Sequence, residues 1–347
     1  MVTTKDNKQN ALSWFQNMWK YHPLFSTGMA LVVMVILQTI ALGFDYGSFG
    51  EWFTVWVTNW FNILRNNASV GIIALGMSFV IISGGIDLAV GSTLVAIGAV
   101  VMMLIDGGPN GILTRIGITG IPAYIIAIVA GIIFSLILGE ITGALITKGK
   151  LPPFIATLGT MKICRSVTQH FMQGYTPSVP KGFLQIASLE IFGHMLMPIL
   201  YWGLLAYGLH IVSKRTTFGR HVFAIGSNER TSKLSGIDVS KIKRHVYALM
   251  GLLVGFSAIL QVSRIGSMDY ANAGSGYEMD AIAAVIVGGT SMSGGKGSIV
   301  GTVLGMLIIA VMNNLLNLMG VPPFLREACK GIIVIGAVLL QKKENPQ

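Results

Sequence analysis

Residues 66–105 read NNASVGIIALGMSFVIISGGIDLAVGSTLVAIGAVVMMLI, with Asp87 as the single charged residue. A membrane-spanning helix needs about 20 consecutive, mostly apolar residues. The stretch is therefore two spans in tandem, and Ser83-Gly84-Gly85 marks the break between them. The rest of the chain supports the same solvent. Of its 347 residues 53% are hydrophobic and 11% charged, and the mean hydropathy is +0.70. A soluble domain carries about 25% charged residues. The chain reads as one continuous membrane domain rather than two soluble ones.

Other runs free of charge, or nearly so, extend the pattern: 24–44, 116–147 (interrupted by Glu140), 153–171 (interrupted by Lys162 and Arg165), 195–213, 246–263, 281–295, 297–325 and 331–341. With the tandem pair they make ten candidate spans. Ahead of the first lies a mostly polar segment of over twenty residues, too long and mixed for the charged head of a secretory signal, so 24–44 is expected as a retained span. With the N-terminus inside, fifteen Lys and Arg fall in inner segments. The outer segments hold five: Arg65, Arg115, Lys181, Arg264 and Arg326. Cytoplasmic loops carry the excess of Lys and Arg, so both termini are expected to be cytoplasmic. The same rule accounts for the net charge of +10 without nucleic acid, for which no soluble basic domain is present. The expected organisation is a cytoplasmic segment 1–23, a membrane domain 24–341 and a tail 342–347, with one long basic loop at 214–245.

Two glycine-rich clusters stand out among the 43 glycines: SGGIDLAVGS (83–92) and VGGTSMSGGKGS (287–298). Irregular backbone at membrane depth is tolerated where protein buries it or where it lines a wet cavity, and broken helices mark substrate sites in many transporters. Ser83, Gly84, Gly85, Asp87, Gly288, Gly289, Thr290 and Ser291 are therefore candidates for a translocation path. The alternative for most glycines is close helix packing. Asp87 has three readings: a sugar-hydroxyl acceptor, a proton relay, or a cap on the helix that starts near Leu88. The clusters share a rough order of apolar run, Gly-Gly, polar turn and Gly-Ser, which allows a diverged internal repeat.

In the basic loop, GSNERTSKLSGI (226–237) reads as a short helix. Asn228 suits its N-cap, Glu229 its first turn, and Gly236 its stop. Two turns alone in water are unstable, so the helix needs a partner surface; the alternative is an ordinary solvated loop. GGKGS (294–298) is not a phosphate-binding loop, because Thr290 stands where the first glycine belongs and Gly297 where Ser or Thr belongs. Any ATP would be handled by another polypeptide. Six histidines without HExxH spacing and two distant cysteines, Cys164 and Cys329, suggest neither a metal site nor a disulfide framework.

The motifs ISGGIDLAVGS (82–92), PPFIATLGTM (152–161), GSNERTSKLSGIDVSKIK (226–243), GYEMDAIAAVIVGGTSMSGGKGSIVGT (276–302) and NNLLNLMGV (313–321) together resemble the ribose-type branch of bacterial ABC sugar permeases. That branch includes permeases for ribose, xylose, galactose, inositol and autoinducer-2. The likeness runs from about residue 62 to the C-terminus. It implies an all-α integral membrane protein of the bacterial cytoplasmic (inner) membrane, with about ten transmembrane helices and broken, glycine-rich elements. It also implies a homodimer in lipid, cytoplasmic ABC ATPase subunits that carry the ATP and Mg, and an extracytoplasmic sugar-binding protein. The short loop helix would be the coupling helix to the ATPase, with Gly226, Asn228, Glu229, Lys233, Leu234 and Gly236 as its residues. Related chains often have Ala-Ala where Arg230-Thr231 stand here, which points to a matched ATPase partner. The expected function is sugar import by alternating access. The competing class is a proton-coupled secondary sugar transporter, with Asp87 as relay. An embedded enzyme would need an acid–base or metal constellation that is not evident.

Overall fold

The computed structural model describes residues 23–344 apart from Phe192. Residues 1–22 of the expected N-terminal segment and 345–347 of the expected tail lie outside the described residues. The chain is built from helices: α1 (Pro23–Leu42), α2 (Phe49–Ile82), α3 (Val90–Ile105), α4 (Ile112–Arg115), α5 (Ile121–Thr147), α6 (Pro153–Met172) and α7 (Lys181–Ser188) come first. A two-residue antiparallel pair, β1 (Glu190–Ile191) and β2 (His194–Met195), precedes α8 (Met197–Arg215), α9 (Thr217–Ser227) and α10 (Glu229–Leu234). The last four are α11 (Val239–Ile265), α12 (Tyr277–Val287), α13 (Ile299–Leu318) and α14 (Pro323–Glu344). Among the described residues five helices are long and apolar enough to cross a bilayer: α1 (from Leu24), α2, α5, α11 and α13. This is an all-α membrane protein.

Burial sorts the helices into a centre and a lipid-facing shell. In α2 every residue from Ala68 to Ile82 is buried, while its first turns are exposed and aromatic. Phe49, Phe53, Trp56 and Trp60 form a ladder along that end, and the Trp52 indole donates to the Gly43 carbonyl at 3.0 Å. Aromatic side chains with a polar handle favour the membrane–water boundary. On α5, by contrast, Ile125, Val129, Ile133, Ile137 and Ile141 are exposed, as a helix facing lipid requires.

Helices in lipid gain no hydrophobic drive from meeting one another, so close packing of small residues carries the contact. The α5–α11 crossing shows this. Ser135, Gly139 and Gly143 line one face of α5 at four-residue spacing and meet Gly251 and Gly255 of α11. A Cβ on Gly139 would stand 3.1 Å from the Gly251 Cα, and one on Gly143 3.0 Å from the Arg244 Cα. Gly288 at the end of α12 packs in the same way on Gly301 of α13. Buried hydroxyls add cross-links: Ser78 and Thr302 share a 2.6 Å hydrogen bond between α2 and α13.

Several boundaries differ from the sequence reading. The first span of the tandem pair begins at Phe49, not near residue 66, so α2 absorbs the segment 49–65. Ser48 caps it through the Glu51 N–H, and Arg65 stays helical by donating to Asn62 Oδ1 at 2.9 Å. The span expected at 281–295 is helical only over Tyr277–Val287, because Gly288 and Gly289 end it. Lys162 and Arg165 do not interrupt α6.

Candidate functional site

Both glycine clusters are helix stops of one geometry. At the end of α2 the Gly84 N–H donates to the Ile81 carbonyl and the Gly85 N–H to that of Val80, each at 2.9 Å. At the end of α12 Gly289 donates to Ile286 at 2.9 Å and Thr290 to Val285 at 3.1 Å. This is the bonding of a helix closed by a left-handed residue. Gly84 (φ 79) and Gly289 (φ 86) supply it, and a Cβ would strain either. The same bonds end α10 at Gly236 and α13 at Gly320. The pattern shared by the two clusters is thus a glycine stop and does not by itself mark an internal repeat.

After the first stop the chain runs extended to α3. Asp87, 7% exposed, accepts the Ala89 N–H at 2.9 Å through Oδ1. The helix starts at Val90, with Ala89 as its cap residue and no side-chain cap bond, so Asp87 holds the turn ahead of α3 rather than capping a helix that starts near Leu88. Ser83 is turned back onto the Val80 carbonyl at 2.8 Å. The Tyr247 hydroxyl of α11 donates to the Ile86 carbonyl at 3.1 Å and sits where a Cβ on Gly85 would fall. In the second break Thr290 is fully buried beside Gly297, which also packs on Ile82, while Gly289 is exposed and Ser291 half-buried. Asp87 and Thr290, the most polar of the path candidates, are thus both enclosed within the single chain.

The sequence reading did not foresee that the two breaks meet each other and the basic loop. The Gly295 N–H donates to the Ile82 carbonyl at 2.9 Å, tying the second break to the end of α2. Gly226, near the end of α9, lies against that same carbonyl and 2.5 Å, measured from a notional Cβ, from the Gly295 nitrogen. Gly294 and Gly295 in turn pack on Gly226 and Ser227. Three backbones converge on one carbonyl, which only glycine permits. Contacts between segments this far apart in sequence leave no trace in periodicity.

Directly after that junction Asn228 leaves helical geometry (φ −160, ψ 103) and caps α10 by accepting the Thr231 N–H at 2.9 Å. Gly226 belongs to α9, so the short helix covers Glu229–Leu234 rather than all of 226–237. Glu229 and Lys243 form a 2.6 Å ion pair between α10 and α11. With the Glu229 side chain 59% exposed, solvent screening leaves the pair little weight in stability. Lys233 is exposed, and Leu234 is 82% exposed at the tip. Gly236 (φ 83) turns the chain into α11, whose first turn Asp238 caps through the Lys241 N–H at 2.9 Å.

Arg165 and Asp106 play parts that the sequence reading left unassigned. The Arg165 guanidinium of α6 donates to the Tyr270 carbonyl at 3.2 Å and the Ala273 carbonyl at 2.8 Å. It thereby supports the non-helical segment between α11 and α12, where Gly274 packs on the Gly91 backbone. Its one sequence signal is a cation inside an apolar run. Asp106 follows α3. Its carboxylate accepts from the Tyr175 hydroxyl at 2.5 Å and from the N–H groups of Gly108 (2.9 Å) and Ser178 (2.8 Å). Among the described residues no group of three His, Cys, Asp or Glu side chains is placed to hold a metal.

Non-helical breaks buried within an all-α membrane fold are a feature of many transport proteins. The model of the family described as branched-chain amino acid transport system / permease component matches residues 59–338. The chain is 37% identical to the ribose import permease protein RbsC of Escherichia coli K12 over 323 residues, 91% of this chain and 92% of that one. It is 42% identical to RbsC of Bacillus subtilis over 290 residues, 83% and 85% of the two chains. With the galactose/methyl galactoside import permease MglC of Escherichia coli K12 it shares 34% over 293 residues, 80% and 84%. No solved structure matches significantly. The chain belongs to the ribose-type family of ABC sugar permeases, and is an integral protein of the bacterial inner membrane.

Proposed function

We propose that this permease imports ribose or a related monosaccharide by alternating access, driven by a separate cytoplasmic ATPase. An extracytoplasmic binding protein delivers the sugar. The relatives named above are import permeases for ribose and galactose, which supports the substrate class and direction. Ten crossings carry the chain from a cytoplasmic N-terminus to a cytoplasmic C-terminus: α1, α2, α3, α5, α6, α8, α11, α12 with its break, α13 and α14. The membrane domain covers 24–341. The basic loop 214–245 then lies in the cytoplasm, where Lys and Arg concentrate.

The observation that carries the coupling reading is the three-way junction at the Ile82 carbonyl. α10 begins three residues beyond Gly226, so a force on α10 reaches both glycine breaks through backbone contacts. Asn228 and Gly236 hold α10 as a unit, and Glu229, Lys233 and Leu234 present its outer face to the ATPase. Ser83, Gly84, Gly85, Asp87, Gly288, Gly289, Thr290 and Ser291 shape the path by fixing where these helices stop. Asp87 and Thr290 are enclosed within the single chain, which favours a path formed between two copies. The permease needs no cofactor of its own, since ATP and Mg belong to the partner.

Glu229→Lys tests this reading. In vesicles with the ATPase and binding protein, ATP hydrolysis should persist while sugar uptake falls at least about tenfold, a change of about 1.4 kcal/mol in coupling. Normal uptake would overturn the coupling role. Uphill sugar accumulation by the permease alone, driven by a proton gradient, would overturn the ATP-driven reading.

A further inference from the structure

We propose that the cleft between the end of α5 and the start of α11 binds the phosphate headgroup of an anionic phospholipid. The cleft is open and encloses about 340 Å3. Lys148, Lys241, Arg244 and His245 line it, together with Ser240 and one carboxylate, Asp238. Two acidic groups lie nearby, one bonded to backbone and one paired with a cation, against the four basic side chains. Asp238 Oδ1 accepts the Lys241 N–H at 2.9 Å, and Glu140 binds Arg244 through Nε at 3.1 Å and Nη2 at 2.9 Å. Lys148 and Lys241 form no ion pair among the described residues. The cleft therefore offers two uncommitted ammonium groups to an anion.

Its position selects the source of that anion. Val129, Ile133, Ile137, Ile141 and Leu145 are exposed at four-residue spacing along α5 and form an apolar line that ends one turn before Lys148. Phe256 is exposed on the adjoining α11. Acyl chains laid along this line bring a lipid phosphate level with the lysines, and basic pockets between helices at the membrane surface suit such headgroups. A soluble phosphate would have no use for the apolar approach. The inference depends on the membrane-embedded fold and not on the coupling role of α10 or on the sugar carried.

The test is lipid retention by the purified full-length chain, read by native mass spectrometry after loading with phosphatidylglycerol or phosphatidylcholine. The wild type should retain phosphatidylglycerol in preference. Lys148→Ala and Lys241→Ala should each lower that retention about fivefold, the factor given by about 1 kcal/mol per cation near an anionic surface. Lys241→Arg should restore it, and phosphatidylcholine retention should not change, which excludes general misfolding. Equal phosphatidylglycerol retention by wild type and double variant would overturn the proposal. So would displacement of the lipid by millimolar inorganic phosphate, which would make the cleft a soluble-anion site. Loss of ATPase co-purification in the double variant with lipid retention intact would assign the cleft to the ATPase and also overturn it.

Discussion

Arg165 and Asp106 both hold non-helical backbone, Arg165 through two carbonyls and Asp106 through two N–H groups together with the Tyr175 hydroxyl. Arg165 donates to two carbonyls of a segment that has no helical partners. Leaving a buried acceptor without a donor costs about 1–3 kcal/mol. Arg165→Leu should therefore lower the thermal unfolding midpoint in detergent; both bonds come from Nη1 alone, so Arg165→Lys, whose single ammonium has donors for both carbonyls but a shorter reach, should recover part of the loss. An unchanged midpoint in the leucine variant would remove Arg165 from the support of this segment. Asp106 is different because it titrates outside the spans. Burial pushes its carboxyl up, but the Tyr175 hydroxyl and the Gly108 and Ser178 N–H groups outweigh this and hold it below the ordinary value of 3.8. A depressed carboxylate stabilises fully above its unfolded pKa and loses that contribution as pH falls through the folded one. Wild-type stability should thus drop more steeply below about pH 4 than that of Asp106→Asn, and parallel profiles for the two proteins would contradict the assignment. Neither role was legible beforehand: an arginine in an apolar run signals importance without naming its partner, and a lone loop aspartate signals nothing.

At the scale of the elements, the glycines divide into two kinds. Those in the α5–α11 seam are there for distance. A methyl on Gly251 would collide with the Ser135 carbonyl, which the helix backbone cannot withdraw. Gly251→Ala should cost about 1–3 kcal/mol by forcing the helices apart. Gly159, in α6 with nothing within 4 Å of a notional Cβ, provides the contrast. Gly159→Ala should leave the unfolding midpoint unchanged or raise it, since Gly is worse than Ala inside a helix by about 1 kcal/mol. Equal effects in both variants would mean that the seam does not decide the cost of a methyl group there. The second kind, at Gly84 and Gly289, is there for left-handed backbone. The sequence clusters identified these stops, because Gly-Gly within an apolar run has few other uses. Helix starts were harder to read. The beginning of α2 at Phe49 was hidden by Glu51 and Arg65, charges that suggest a loop until the Ser48 cap and the Asn62 contact are seen.

For the whole molecule, the enclosure of Asp87 and Thr290 and the exposed apolar face of α5 fit the proposal that the path forms between two copies. Purified with its ATPase, the permease should show two copies per complex by mass measurement; a single copy that transports would require a path through the interior and would refute the two-copy reading. The basic loop, read in sequence as a polar stretch holding one short helix, consists of three helical pieces, α9, α10 and the first turns of α11, the first of them packed on the core at Val222 and Ile225.

Composition and run length sufficed to establish a polytopic α-helical membrane protein, because a bilayer demands long uncharged stretches whatever their order in space. Local chemistry sufficed for the Asn228 cap and the Gly84 and Gly236 stops, since each bonds within a few residues of itself. Tertiary structure alone decided that Ile82, Gly226 and Gly295 share one contact, that Arg165 serves Tyr270 and Ala273, and that Asp87 and Thr290 are enclosed. Those facts depend on which surfaces meet, and small residues that allow helices to meet look the same in sequence wherever their partners lie.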